Sequence, residues 1–466
     1  MPLKNRNSLL LTLMVFMIGL SPRVSLAQAS PDTIYIPQKD DSLSLEDTLA
    51  VIQTRYKLEK DTLRGDNRKY ILQFYDKRFD NIRRQFREKA LLTLPEAQAY
   101  LQALINEIMR SNPELGTRPV NVYFAKTGVP NAAFIGDGVI VFNLGLLVHM
   151  QNESQVVFVL CHELAHFYLN HSNNDIAKYV GVLYSKETQE QLRRIQRQEF
   201  HQAAMVEQLA KSVEFDDTRH SRTHESEADS MGLVFMHNTR YDVGEALTCL
   251  ALLDTVDNEA FRTEAFLKQA FNTPEYPFQN RWLHQETGLL GGHAVIKEDK
   301  PLADSMKTHP DCSARIIALE PAVRSWQGSG RKKDILDRKE FERLRGLARY
   351  EILRYDNDSK QYGRCLMNAC ELLDEHPGDP YVVSLMGEAL HNIYLAQKGH
   401  VLSRSVPLPS PWYNANYNTL LQFIQNLYLD EIAQIDYYFL KQYENRLSGY
   451  PAFAAAYAAA RTTAGK

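Results

Sequence analysis

Apolar residues recur at helical intervals along most of this chain, and strict alternation is confined to one short region. Leu101, Leu104, Ile105 and Ile108 share one helix face. Asn112-Pro113 should end that helix, because the residue before a proline disfavours the helical conformation. Helix formers dominate from Tyr70 to Ser111, whereas 30–65 is polar and weakly patterned and predicts a lead-in with one short helix. From Pro119 to Ala125, Val120, Val122 and Phe124 alternate with Asn121 and Tyr123, which predicts a strand. Ala132–Ile135 and Val139–Phe142 flank Gly136-Asp137-Gly138, a hairpin signal.

Beyond the hairpin the pattern is helical again. Asn152 followed by Gln155 is a helix-start signature, and Val156-Val157-Phe158-Val159-Leu160 makes the helix apolar on most sides, as in a core. Asp175–Asp217 turns charged, predicting an exposed helical excursion, and Glu225–Met236 reads as another helix. Pro274–Gly292, rich in proline, aromatics and glycine, reads as a long ordered loop. After about Gly330 no strand pattern remains. Tyr362–Asp374, the break His376-Pro377-Gly378-Asp379-Pro380 and Tyr381–Ala396 predict a helix–turn–helix of tetratricopeptide type. The expected fold is mostly α with a small β-sheet, followed by an all-α domain.

Composition adds limits. The 466 residues suffice for two or three domains, and 44% apolar with 24% charged residues is ordinary for a globular chain. The formal net charge of −4 lacks the basic footprint of a nucleic-acid binder. Lys4 and Arg6, the apolar run Leu9–Leu20 and the small-residue exit Ala27-Gln28-Ala29 read as a signal peptide over 1–29. Its removal subtracts Lys4, Arg6 and Arg23 and no acid, so −4 becomes −7. No later stretch has the length of a membrane span, so the mature protein is expected to be extracytoplasmic, in the periplasm, with no integral span. The five cysteines show no paired spacing and read as buried small hydrophobes. The divisions expected are 30–65 lead-in, 66–327 first domain and 335–466 helical domain. The glycine-rich, basic 328–333 between them reads as a boundary that few contacts cross.

Candidate chemistry concentrates in the apolar helix, at His162-Glu163-Leu164-Ala165-His166. Four residues are just over one helical turn, so both histidines project from one face and can share a zinc ion. Glu163, one position on, can reach water on that metal without ligating and take its proton. Two histidines and a glutamate are costly to bury unless they coordinate or pair. A third ligand is needed. Glu225 and Asp229, four apart, share a face of their own helix, so Glu225 can complete the set while Asp229 orients a ligand histidine. Glu227 and His224 are out of phase with that pair and read as bland.

These residues, with Asn112-Pro113-Glu114-Leu115, Asn131-Ala132-Ala133-Phe134, Gly145-Leu146-Leu147, Thr308-His309-Pro310 and Arg315-Ile316, resemble metallopeptidase family forty-eight over about Tyr100–Leu319. The resemblance implies a zincin-like α+β peptidase domain with one zinc per chain held by His162, His166 and Glu225. It also implies Glu163 as general base, Asp229 as supporting catalytic residue and His309 as a residue that regulates or finishes the site. The bland alternative for His309 is a loop histidine packed on Pro310. In zincin-type sites an edge strand pairs with extended substrate, a role open to Asn131, Ala132, Ala133 and Phe134 if they are more than an ordinary sheet edge. Unlike the membrane-embedded members, this chain has no transmembrane helices and looks more like the soluble periplasmic branch. The expected function is an exported zinc endopeptidase acting on protein or peptide substrates in envelope quality control, with a possible envelope protein partner docking on the C-terminal helices. The alternative is a chaperone-like binding protein with a latent site.

Overall fold

Alternating burial on three short strands organises the N-terminal half. The computed structural model describes residues 35–37, 43–117, 119–197, 222–255, 261–283, 312–326, 328 and 331–466. Asn121–Ala125 (β1), Ala132–Gly136 (β2) and Val139–Asn143 (β3) form a sheet of order β1-β3-β2, with β3 parallel to β1 and antiparallel to β2. The turn between β2 and β3 holds Gly136, Asp137 and Gly138 at φ of 99°, 51° and 75°, which glycine adopts without strain and aspartate tolerates. The hairpin therefore lies where the sequence placed it, and β2 is an edge strand.

Both faces of the sheet are covered. Val122, Phe124, Ile140 and Phe142 join the core around the helices Pro95–Ser111 and Glu153–Tyr168. Tyr123, Ala125, Val139 and Val141 face the opposite way, under the helices Leu43–Thr62 and Arg68–Arg87. The alternation seen in β1 is thus between two buried environments, and the Tyr123 ring lies edge-on to Phe86 at 5.2 Å. The expected short lead-in helix is a helix of 20 residues. Its apolar stripe, Leu45, Leu49, Ile52 and Tyr56, is diluted by charged residues on the outer face and so reads weakly in sequence.

Among the described residues the C-terminal region is all helical, and it includes Arg338–Asp358, Tyr362–Glu375, Pro380–Lys398, Ala415–Asn426, Leu429–Lys441 and Pro451–Ala464. Asp379 caps the break at 376–380, accepting from the Tyr381 and Val382 amides, and Pro380 sits where a missing N–H costs nothing. The boundary at 328–333 does not have few contacts. Lys332 bridges to Tyr241, and the Lys333 carbonyl accepts from Ser154 at the start of the Glu153–Tyr168 helix. Phe341, Leu344, Ala348 and Ile352 of the helix Arg338–Asp358 then enter the same core as the sheet. An apolar stripe on that helix has to be buried somewhere, and the nearest apolar surface is the first half of the chain.

All five cysteines are buried. No described helix is long and apolar enough to cross a membrane.

Candidate metal centre

The helix Glu153–Tyr168 starts with reciprocal caps: Asn152 accepts from the Gln155 amide at 3.1 Å, and Gln155 Oε1 accepts from the Gln151 amide at 2.8 Å. Every residue from Glu153 to Ala165 is buried, so His162 and Glu163 lie inside the protein. A second helix, 222–237, crosses it very closely at Gly232. A Cβ on Gly232 would stand 2.9 Å from the His162 nitrogen and 3.0 Å from its Cα, so only glycine permits the approach. Glu225 and Asp229 precede Gly232 by seven and three residues, on the same face, and this crossing lays their carboxylates over the histidines.

Three ligand atoms converge. His162 Nε2 lies 3.1 Å from His166 Nε2 and 3.5 Å from Glu225 Oε2, and His166 Nε2 lies 3.3 Å from Glu225 Oε1. Ligands about 2.0–2.2 Å from a tetrahedral zinc stand about 3.3–3.6 Å from one another. The two histidine–carboxylate separations, one to each Glu225 oxygen, match that spacing, and the histidine pair stands slightly closer. His162 Nδ1 meets Asp229 Oδ1 at 3.0 Å, which leaves its Nε2 for coordination. The side chains are of borderline-soft nitrogen and hard oxygen type, the donor set zinc takes.

Asp229 is itself held. Arg315 donates to it through Nε at 2.6 Å and Nη2 at 2.7 Å, and its Nη1 stands 3.4 Å from Glu225. Burial alone would push the Asp229 carboxyl up, but the Arg315 and His162 partners reverse this and hold it below the ordinary range. Burial likewise opposes charge on His162, yet Asp229 and Glu225 push it up to about 10. The pocket therefore favours positive charge at His162, by proton or by cation.

Glu163 is divided between two environments. Its Oε2 accepts from the Phe134 amide of β2 at 2.7 Å, while Oε1 is buried with no hydrogen-bond partner. Of the candidate substrate strand, Asn131 precedes β2 and Ala132, Ala133 and Phe134 lie in it, with Phe134 against Phe167 at 5.0 Å between ring centres. One donor of that strand is thus already used by Glu163. Beside it opens a cavity of about 330 Å³, bordered by His166, Phe134, Phe167, Leu58, Arg78 and Asp137. Leu58 and Arg78 come from the two N-terminal helices.

Two functional candidates were not reached by sequence reasoning. Arg315 is remote in the chain and carries no local signal beyond its place in the family pattern. His171 lies five residues after His166, off the two-histidine face, with its Nδ1 2.9 Å from His166 Nδ1. Glu227 and His224, read as bland, both touch His171. His309 lies outside the described residues.

Residues 95–323 match the model of the family described as Peptidase family M48. Among curated proteins no match to the chain was found.

Proposed function

Residues 95–323 belong to peptidase family M48, and from that membership we propose that the protein is a zinc-dependent endopeptidase. His162, His166 and Glu225 would hold one zinc per chain. When bound, zinc supplies Lewis acidity, which polarises a scissile carbonyl and acidifies water. The observation that carries the reading is the convergence of ligand atoms from His162, His166 and Glu225 within 4.8 Å of one another, beside a buried, unpartnered carboxylate oxygen, Glu163 Oε1.

The chain's own residues supply the rest of the chemistry. Glu163 Oε1 takes a proton from the attacking water and returns it to the leaving amide nitrogen, while the Phe134 amide fixes the other oxygen so that the carboxylate cannot swing away. Asp229, gripped by Arg315, sets the tautomer of His162. An extended substrate lies along β2 around Asn131–Phe134, held through main-chain groups that Glu163 leaves available, and the adjoining cavity receives a substrate side chain.

Export to the periplasm rests on the signal-peptide pattern of 1–29, and sequencing the N-terminus of the mature protein tests it. A role in envelope protein quality control, with the C-terminal helices docking a partner, follows from combining export, peptidase chemistry and a helical C-terminal region.

The decisive experiment is metal analysis of the full-length protein with a casein-cleavage assay, with and without chelator. One zinc per chain, chelator-sensitive cleavage, and loss of zinc in His162→Ala are expected. Full zinc retention in that variant overturns the assignment.

A further inference from the structure

We propose that His171, backed by Glu227, is a positioning residue for His166 that fixes which of its ring nitrogens faces the metal. The inference rests on the proposed zinc site. His166 Nε2 points toward His162 Nε2 and Glu225 Oε1, so as a ligand it must be bare and the ring proton must sit on Nδ1. That Nδ1 faces His171 Nδ1 at 2.9 Å. Two nitrogens at this distance need one proton between them, so His171 Nδ1 accepts and is bare. The neutral His171 ring then carries its proton on Nε2, which stands 3.1 Å from Glu227 Oε2 and donates to it. Each proton in this chain is placed by the next acceptor, ending on a carboxylate. Asp229 serves His162 in the same manner, so each histidine ligand has its own outer support.

His171 is well held for this task. It is buried, and it opens the helix His171–Leu183 after Asn170 reverses the chain at φ 58°. Its ring stacks on His224 at 4.0 Å and 10°, and His224 Nδ1 stands 3.1 Å from the Asp175 carboxylate without hydrogen-bond geometry. His224 and Glu227, three apart on one helix face, thus flank His171 together. The same group, His171, His224 and Glu227, has ligand atoms near enough to suggest a second metal. Stacked, nearly parallel imidazoles argue against it, because lone pairs in parallel planes cannot converge on one ion, and His171 Nδ1 is already turned to His166.

The test uses full-length protein loaded with zinc. Competition against a chromophoric chelator should show zinc affinity falling about 10–100-fold in His171→Ala, the usual scale for losing an outer partner. His171→Asn, whose amide oxygen can still accept from His166 Nδ1, should recover most of that loss, a rescue that a merely packing role would not give. Long-range proton–nitrogen spectra of ring-labelled wild type should place protons on His166 Nδ1 and His171 Nε2, whether or not the variants fold. A proton on His171 Nδ1, wild-type zinc affinity in His171→Ala, or a second bound zinc that His171→Ala removes would each overturn the inference. Failure of wild type to bind any zinc would instead overturn the function proposed above.

Discussion

The main-chain N–H of Phe134 donates to Glu163 Oε2 across 2.7 Å, joining the edge strand to the glutamate of the metal helix. The second oxygen of Glu163 is left buried and without a hydrogen-bond partner, so this carboxylate is oriented through one oxygen alone. A group held in that way can take a proton at a defined atom. Glu163→Gln should keep its Phe134 contact, its fold and its zinc, while casein hydrolysis falls at least about 100-fold. An undiminished rate in a chelator-sensitive assay would assign the base to another residue.

Gly232 sets the spacing between the two ligand-bearing helices. In Gly232→Ala the new methyl meets the His162 backbone, which no side-chain rotation relieves. The helices must separate, costing about 1–3 kcal/mol as overpacking does. Thermal melting should show the loss, and chelator competition should show weaker zinc binding because Glu225 moves with its helix. Unchanged values in both would mean that the helices have slack at this crossing.

Arg315 lies buried between Asp229 and Glu225, and its two short bonds to Asp229 form a planar fork. Arg315→Met would leave two buried carboxylates without their cation, a change expected to cost about 3–5 kcal/mol. Arg315→Lys restores charge without the fork and should fall between the two in melting temperature. Equal stability of all three proteins would remove Arg315 from the account of the site.

Glu153, the first residue of the metal helix, accepts from the amides of Ile335, Leu336 and Asp337 at 2.6, 2.8 and 2.8 Å and from the hydroxyls of Tyr100 and Tyr241. Glu153→Ala strands several buried donors and should cost at least about 3 kcal/mol. For the same reason a chain ending at Arg331, deprived also of Phe341, Leu344 and Ala348, should melt early and digest rapidly in limited proteolysis. A truncated protein as protease-resistant as full length would show that the first half stands alone.

Asp356 and Asp436 make stability depend on pH. Burial, opposed by Arg364 and the Asn368 hydrogen bond, pushes Asp356 from 3.8 up to about 7, and burial pushes Asp436, which has no hydrogen-bond partner, well above its ordinary range. The folded protein thus keeps protons that the unfolded chain has already released. These two groups contribute most below about pH 4, and their contribution falls as pH rises toward 7. The double variant Asp356→Asn/Asp436→Asn should flatten the decline of melting temperature over that interval. A slope equal to wild type would place the proton-linked groups elsewhere.

Local interactions made much of this molecule legible in sequence. The hairpin followed from Gly136-Asp137-Gly138 because a left-handed turn needs those residue types. The cap at Asn152 and the apolar run behind it located a buried helix, and helical periodicity alone put His162 and His166 on one face. The break at 376–380 was readable because Asp379 and Pro380 act within one turn of themselves. What the tertiary structure decided depends on groups distant in the chain. Arg315 reaches Asp229 across 86 positions, and Glu153 reaches the amides of 335–337 across more than 180. His224 and Glu227 looked inert because their helix faces Asp229 toward His162, yet a third helix arriving on their flank brought His171 against both. Periodicity tells which residues share a face; only packing decides what that face meets.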